Sequence, residues 1–484
     1  MSRLDDDETR PLLTARHEPY ETHVHNPKRT PLPYFQLSII LFLQLAEPLT
    51  SQIIYPFAPQ LIRDIGITEG DETKVGYYVG IMQSLFFLTQ AITVLHWSRL
   101  SDRIGRKPVI LSGLLGLSIS MFCFGLSRTF WGLVLSIYSR SRSLNGALNG
   151  NIGVIKSIVA EMTDSTNISL AYAYMPLSWS TGGVVGPIIG GFLAHPVEGF
   201  PSLFGKSIFL RKYPYFLPCG IAATFSLIAW VITLLFLKET ATGPGVLTVS
   251  RIFRQRPVKS ETLVEEATPR TIEQEQPVPL RGLMTRKVVV AASSYAVLAL
   301  VDIARSAIQP VFLATPIELG GLGLPPSRIG NLLSIFGVLN GIIQVFFFAP
   351  LHDYLGSKLL FNLGIMSALP TFAAFPLLSY LARTQGLSTL VWAVAVAQVF
   401  MSIGISAVFI YIAEAAPNRA SLGATNGLCQ LWVSLMRTIG PAAANSLFSL
   451  SIEKGYLGGW MVYYVLMATT LAALCVGAQL PRRP

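Results

Sequence analysis

The chain has 484 residues, a formal net charge of +10, and a composition that is 51% hydrophobic and only 13% charged. A soluble domain is about one-quarter charged, so a water-soluble enzyme with polar helix faces is excluded as the leading interpretation. The Lys and Arg residues are neither gathered on one face nor interleaved with stacking aromatics, which argues against a nucleic-acid partner.

Residues 1–33 are polar, include the acidic cluster Asp5–Glu8 and show no cleavable leader, so they read as a disordered cytoplasmic tail. Within that tail, Glu8-Thr-Arg-Pro-Leu12-Leu13 has the form of an acidic dileucine sorting signal, a short pattern that often arises by chance. Apolar stretches of the roughly 20 residues needed to cross hydrocarbon then follow, at 34–61, 75–96, 108–127, 131–158, 168–194, 215–237, 288–315, 327–350, 358–381, 386–412, 422–450 and 457–480. Twelve spans return both termini to one side. Lys and Arg in the segments on that side outnumber those on the other by more than two to one, which places both termini in the cytoplasm. Residues 238–287 are rich in Arg, Glu, Pro and Thr, bury too little to fold alone, and read as a cytoplasmic linker. They separate an N-terminal bundle, 34–237, from a C-terminal bundle, 288–480, and 481–484 form a short cytoplasmic tail.

A polar side chain in a span costs a few kcal/mol unless it faces a partner or a wet cavity. The first span carries Gln44, Glu47 and Ser51 on one face beside Pro48. The fourth carries Arg142, Asn145, Asn149 and Lys156, and the seventh Asp302, Arg305 and Gln309, each at helical spacing. These stripes are expected to share one cavity. Glu47 and Asp302 are the proton-coupling candidates, because a carboxyl in an apolar site exchanges its proton against an approaching cation. The alternative is structural: Asp302 pairs with Arg305, and Glu47 bonds a neighbouring helix.

Between the second and third spans, Ser98-Arg-Leu-Ser-Asp-Arg-Ile-Gly-Arg-Lys107 reads as a tight cytoplasmic turn. Asp102 is expected to accept hydrogen bonds from helix N-termini, Arg103, Arg106 and Lys107 to hold the turn inside, and Gly105 to permit the reversal. In the fifth span Gly182, Gly186 and Gly190 lie four apart beside Pro187 and Gly191, a small-residue face for close helix packing. The halves echo each other: Asp102, Gly105 and Lys107 fall on Asp353, Gly356 and Lys358 at an offset of 251. Ala160-Glu161 falls on Ala413-Glu414 at 253, and Gly186-Pro187 on Gly440-Pro441 at 254. This reads as a six-plus-six duplication. Glu161 and Glu414 then sit at equivalent cytoplasmic helix ends, as gate acids or as solvated ones, and Arg437 is assigned to contact between the bundles. The four cysteines and the scattered His96, His195 and His352 show no metal-ligand spacing, and no cofactor motif is present.

The Ser98–Lys107 run resembles the loop signature Gly-x-Leu-Ala/Ser-Asp-Arg-x-Gly-Arg-Lys of the major facilitator superfamily, with Ser98 standing where the first Gly would be. Gly186-Pro-Ile-Ile-Gly-Gly191 resembles the antiporter motif of its drug:proton exchangers. With Asn149-Gly-Asn-Ile-Gly153, these motifs resemble the fungal and plant zinc-induced facilitator-like branch of the twelve-span antiporters. The resemblance implies an all-α integral membrane protein of two pseudo-symmetric six-helix bundles, with the first, fourth, seventh and tenth helices lining the pathway. It also implies that Arg142, followed by x-x-x-Gly146, influences a facing carboxylate. The implied function is secondary transport of a small molecule or ion, without catalytic residues or a cofactor, and with export coupled to proton entry. The chain is expected to be a monomer in the plasma or vacuolar membrane, with oligomeric state and membrane address left open by the sequence. Two alternatives stay open: a proton symporter for uptake, and a transporter-like nutrient sensor signalling through the linker.

Overall fold

The computed structural model describes residues 30–129, 151–163, 167–240, 282, 284–384, 408, 411–412, 415 and 422–481. Among these residues there are helices and no strand.

The first apolar stretch does not form a single helix to residue 61. Helix α1, Tyr34–Gln52, ends four residues before Pro56, and α2, Ala58–Ile65, begins with Pro59 in its first turn. A proline lacks the donor that would continue the ladder but is accommodated at a helix start. Gly66, at φ 74°, closes α2 in the left-handed conformation that favours glycine.

The second stretch departs from expectation in the opposite direction. Helix α3, Val75–Ile104, runs through most of the predicted loop, so the turn shrinks to Gly105 before α4, Arg106–Leu126. Gly105 has φ 107°, which a side chain would rarely tolerate. The remaining helices of the first half are α5, Asn151–Met162, α6, Ile168–Leu193, and α7, Phe216–Phe236.

The second half contains α8, Arg286–Ala314, α9, Pro326–Phe346, α10, Phe348–Met366, α11, Ala368–Thr384, α12, Leu422–Lys454, and α13, Met461–Gly477. Within α10, Gly356 at φ 72° breaks the helix. The same backbone reversal therefore recurs at the two glycines that the duplication aligns.

The start of α1 and the end of α7 share one face, because the Gln36 amide donates to the Phe236 carbonyl at 3.1 Å and accepts from the Lys238 N–H at 3.0 Å. This is the linker face; the opposite one is the far face. Helices α1, α4, α6 and α7 pack together in the first half, and α8, α12 and α13 in the second, while α3 against α12 and α6 against α9 join the halves.

Glycine determines how closely these helices approach. A Cβ at Gly182 would lie 2.6 Å from Pro48 Cβ, and one at Gly186 2.8 Å from Gln52 Cβ. One at Gly190 would collide with the backbone of Ile53, so this stripe packs on α1, inside its own bundle. Gly191 faces the other way, toward Pro326 of α9.

Two apolar clusters follow this geometry. One joins Ile40, Leu43, Ile110, Ile158 and Ala229 of the first half. The other runs across both halves, from Ile53, Phe57 and Val79 to Phe312, Phe375 and Tyr463.

Candidate functional site

The two halves meet along paired seams on the far side. Ser84 of α3 accepts the Ala442 N–H of α12 at 2.9 Å, and Ser334 of α9 donates to the Val184 carbonyl of α6 at 2.8 Å. These serines are 250 positions apart, and each reaches the proline-containing helix of the other half. The neighbouring glycines repeat the relation. A Cβ at Gly80 would lie 2.7 Å from the Pro441 carbonyl oxygen, and one at Gly330 would press on the Pro187 carbonyl. At the far edge, Arg63 of α2 holds Glu72 at 2.8 Å and donates to the Ala314 carbonyl of α8 at 2.8 Å.

The seam loosens in the other direction. A Cβ at Gly337 would lie 2.7 Å from the Gly183 oxygen, but one at Gly341, a turn nearer the linker face, would find nothing closer than Ser180 at 3.6 Å. The seam is therefore tightest toward the far face and relaxes to ordinary van der Waals contact at Gly341.

Ionisable groups from both halves lie on the spans between the two faces. The Gln90 amide of α3 donates to Glu47 of α1 at 3.4 Å. On α8, Arg305 is buried and is 3.0 Å from Asp302. Its guanidinium also donates to Gln309 at 3.0 Å and to Ser306 at 2.8 Å, and lies 5.3 Å over the Phe336 ring. Lys156 of α5 lies within electrostatic range of Glu47, Cys429 and Arg437. Arg437 reaches the same range of Tyr55 and Tyr295, both of which also sense Asp302.

One cluster thus brings Glu47, Lys156, Asp302, Arg305 and Arg437 together, from both bundles. Gln44 is buried beside it, and Ser51 satisfies its hydroxyl on the Pro48 carbonyl of its own helix at 3.2 Å. Arg142, Asn145, Asn149 and Glu414 lie outside the described residues, as do the side chains of Asp102 and Arg103. Sequence reasoning placed Lys156 on the fourth-span stripe but left it off the site, and gave Arg437 only an interdomain role. The signal for both was a cation in mid-span. Among the described residues no group of His, Cys, Asp or Glu side chains is arranged to hold a metal ion.

At the linker face, Glu239 sets a carboxylate on the N-terminus of α4, accepting the Arg106 N–H at 2.8 Å and the Lys107 N–H at 3.0 Å. Free N–H groups at a helix start favour an anion. Arg106 in turn bonds Glu161 at 3.0 Å and Ser101 at 2.6 Å, and Glu161 accepts the Thr240 hydroxyl. Glu161 therefore pairs with the basic turn, and Glu239, an acid directly after the sixth span, joins it without having been named from the sequence. In the second half Lys358 donates to the Ala478 carbonyl at 2.8 Å, and Asp353 points outward, 85% exposed. Glu239→Ala is expected to cost about 0.5–2 kcal/mol, the usual loss of a helix cap, with Glu239→Gln intermediate. Thermal unfolding in detergent measures both.

A model described as Major Facilitator Superfamily matches residues 40–441. The chain belongs to the major facilitator superfamily. It is 27% identical to the multidrug transporter mfsB of Aspergillus fumigatus, over 93% of this chain and 85% of that one. It is 28% identical to ZINC INDUCED FACILITATOR 1 of Arabidopsis thaliana, over 90% and 89%. Among solved structures, the human organic anion transporter MFSD10 matches with a TM-score of 0.61 at 15% identity, covering 93% of this chain and all of that one. A bacterial homologue of the lysosomal transporter Spinster matches at 0.63 and 14%, covering 93% and 96%. The chain has the superfamily's all-α fold, and six helices among its described residues are long and apolar enough to cross a bilayer. This is a multi-pass membrane transporter.

This chain carries one further charged cluster, at the far face. His195, at φ 57°, is 2.8 Å from Asp64 of α2 and 2.9 Å from the Tyr215 hydroxyl, which also bonds Asp64. Glu198 lies 3.6 Å from the other ring nitrogen, and Gln60 donates to Asp64 at 2.8 Å. Burial raises Asp64, but hydrogen bonds from His195, Tyr215 and Gln60 outweigh it and hold the carboxyl below its usual range. The bond to Asp64 lifts His195 above its usual value.

The histidine's contribution is therefore full below its unfolded value near 6.5 and fades as pH rises through its elevated one. That of Asp64 is present above 3.8 and fades as pH falls through its depressed one. The pair is worth at most ~1 kcal/mol at this exposure. The Tm difference between wild type and His195→Gln is expected to be larger at mildly acidic pH than in alkaline buffer. A difference independent of pH would count against the pairing.

Proposed function

We propose that this protein exports a small solute in exchange for protons. The linker face is taken as cytoplasmic, in the plasma or vacuolar membrane. The observation that carries the reading is the central group of charges, where Lys156 lies within electrostatic range of Glu47 of its own bundle and of Arg437 of the other. A carboxyl there can hold a proton when the site faces the far side and lose it when the site faces the linker side. The two bundles would rock about this midplane site.

Relatives that include a multidrug transporter and an efflux pump support the export direction. On this reading Glu47 is the proton carrier, Asp302 holds Arg305 in place, and Arg142 acts on the carrier's protonation. The test is purified protein in proteoliposomes with a substrate panel under an imposed pH gradient. Exchange requires solute and proton fluxes in opposite directions. Parallel fluxes would establish uptake by symport, and an absence of flux in every arm would favour a sensor acting through residues 238–287.

A further inference from the structure

Three short helical turns, Pro196–Gly199, Pro201–Phe204 and Ile208–Lys212, connect α6 to α7 at the far face. Leu210 is folded inward, but other apolar side chains are not: Leu203 is 76% exposed and Ile208 84%. Beside them Lys206, Arg211 and Lys212 are all exposed, with Glu198 the one acid in the segment. Apolar and basic side chains together at the end of two membrane spans match the headgroup boundary, where rings and aliphatics sink in and cations meet phosphates.

Directly beneath, Phe209 packs edge-on against Phe216 at 4.9 Å, and Phe216 lies 6.2 Å from Phe122 of α4. Phe216 and Phe122 begin a groove of about 460 Å³ that continues along α7 past Gly220, Thr224, Phe225 and Ile228. Its wall is almost wholly apolar, and the Thr224 hydroxyl is satisfied on the Gly220 carbonyl at 2.7 Å. Ile221 and Ile228 are exposed, so the groove opens on the surface that faces lipid. Its floor is glycine: a Cβ at Gly220 would find nothing nearer than Phe216 at 3.6 Å.

We propose that this surface is a binding site for one anionic phospholipid of the far leaflet. Its phosphate sits among Lys206, Arg211 and Lys212, and an acyl chain lies in the groove over Gly220. The two parts are continuous through Phe209 and Phe216, which places headgroup and chain at the depths the bilayer requires. Three cations without a matching set of acids select a negative headgroup, and the apolar groove selects a lipid over a free phosphate. This site is independent of the transport cluster.

The experiment uses the full chain in detergent and follows its Tm as ligand is added. The probes are dioleoyl-phosphatidylglycerol, dioleoyl-phosphatidylcholine and glycerol 3-phosphate. Phosphatidylglycerol alone is expected to raise the Tm. The triple variant Lys206→Gln, Arg211→Gln, Lys212→Gln should raise its half-saturating concentration about 100-fold, since each cation near an anionic surface contributes about fivefold. Gly220→Leu projects from its Cβ into the groove against the Phe216 and Phe122 rings, and should abolish the shift while the variant still unfolds cooperatively without lipid. Equal shifts with phosphatidylcholine, a full shift with glycerol 3-phosphate, no shift with phosphatidylglycerol, or wild-type shifts in both variants would each overturn the proposal.

Discussion

Glu47→Gln is expected to lower pH-gradient-driven flux at least ~10-fold, a barrier increase of ~1.4 kcal/mol, while gradient-free counterflow of the same solute persists. Glutamine keeps the size of the side chain and can still accept from the Gln90 amide that lies 3.4 Å away. It cannot carry a proton. Asp302→Asn should behave differently, because it takes the anionic partner from a buried guanidinium 3.0 Å away. Stranding a buried charge is costly, so that variant should lose stability and every mode of transport together. Retention of wild-type pH dependence in Glu47→Gln would remove the carrier assignment, and a selective loss of coupling in Asp302→Asn would transfer it.

Gly80→Leu and Gly330→Leu are expected to open the far face. At each position the first added carbon meets a proline carbonyl of the opposite half, and backbone cannot step aside as a side chain can. Overpacking of this kind costs about 1–3 kcal/mol, which translates into roughly a 5- to 150-fold loss in the population of the closed arrangement. A cysteine at Ser449, buried where Gly76 packs on α12, reports the change. With the exposed Cys123 and Cys475 replaced by serine, a membrane-impermeant maleimide added from the far side should label it faster in both variants. Acceleration in only one would show that the two seams do not act as equivalents.

The helical membrane fold was legible because hydrocarbon imposes length and apolarity on every span, and α4, α7 and α8 begin and end within a few residues of their apolar runs. The duplication was legible at Gly105 and Gly356 because a left-handed turn restricts the residue that can occupy it. Other features depend on who meets whom across the fold. Ser84 and Ser334 are unremarkable in sequence, and their roles emerge only when each hydroxyl reaches a helix of the other half.

The cap on α4 illustrates the same limit. Sequence reasoning looked for an anion within the loop itself, at Asp102, whose side chain lies outside the described residues, and did not anticipate Glu239, which arrives from 133 positions away. The break after α1 was hidden for a different reason: an apolar run with Pro56 inside it has the composition of one span and the geometry of two helices. At the central site the stripes were readable by spacing, but the proximity of Lys156 to Arg437 joins residues from two bundles, and periodicity along one helix carries no information about it.

The central claim is that two bundles exchange a shut far face for a shut linker face around one shared cluster. Distance measurements between spin labels on the full chain test this most directly, with one pair at Glu69 and Glu318 on the far face and another at Leu100 and Tyr354 toward the linker face, all exposed positions. As pH is varied in lipid nanodiscs, the far pair is predicted to separate while the linker pair approaches. Distances that stay fixed, or that lengthen and shorten together, would contradict the account.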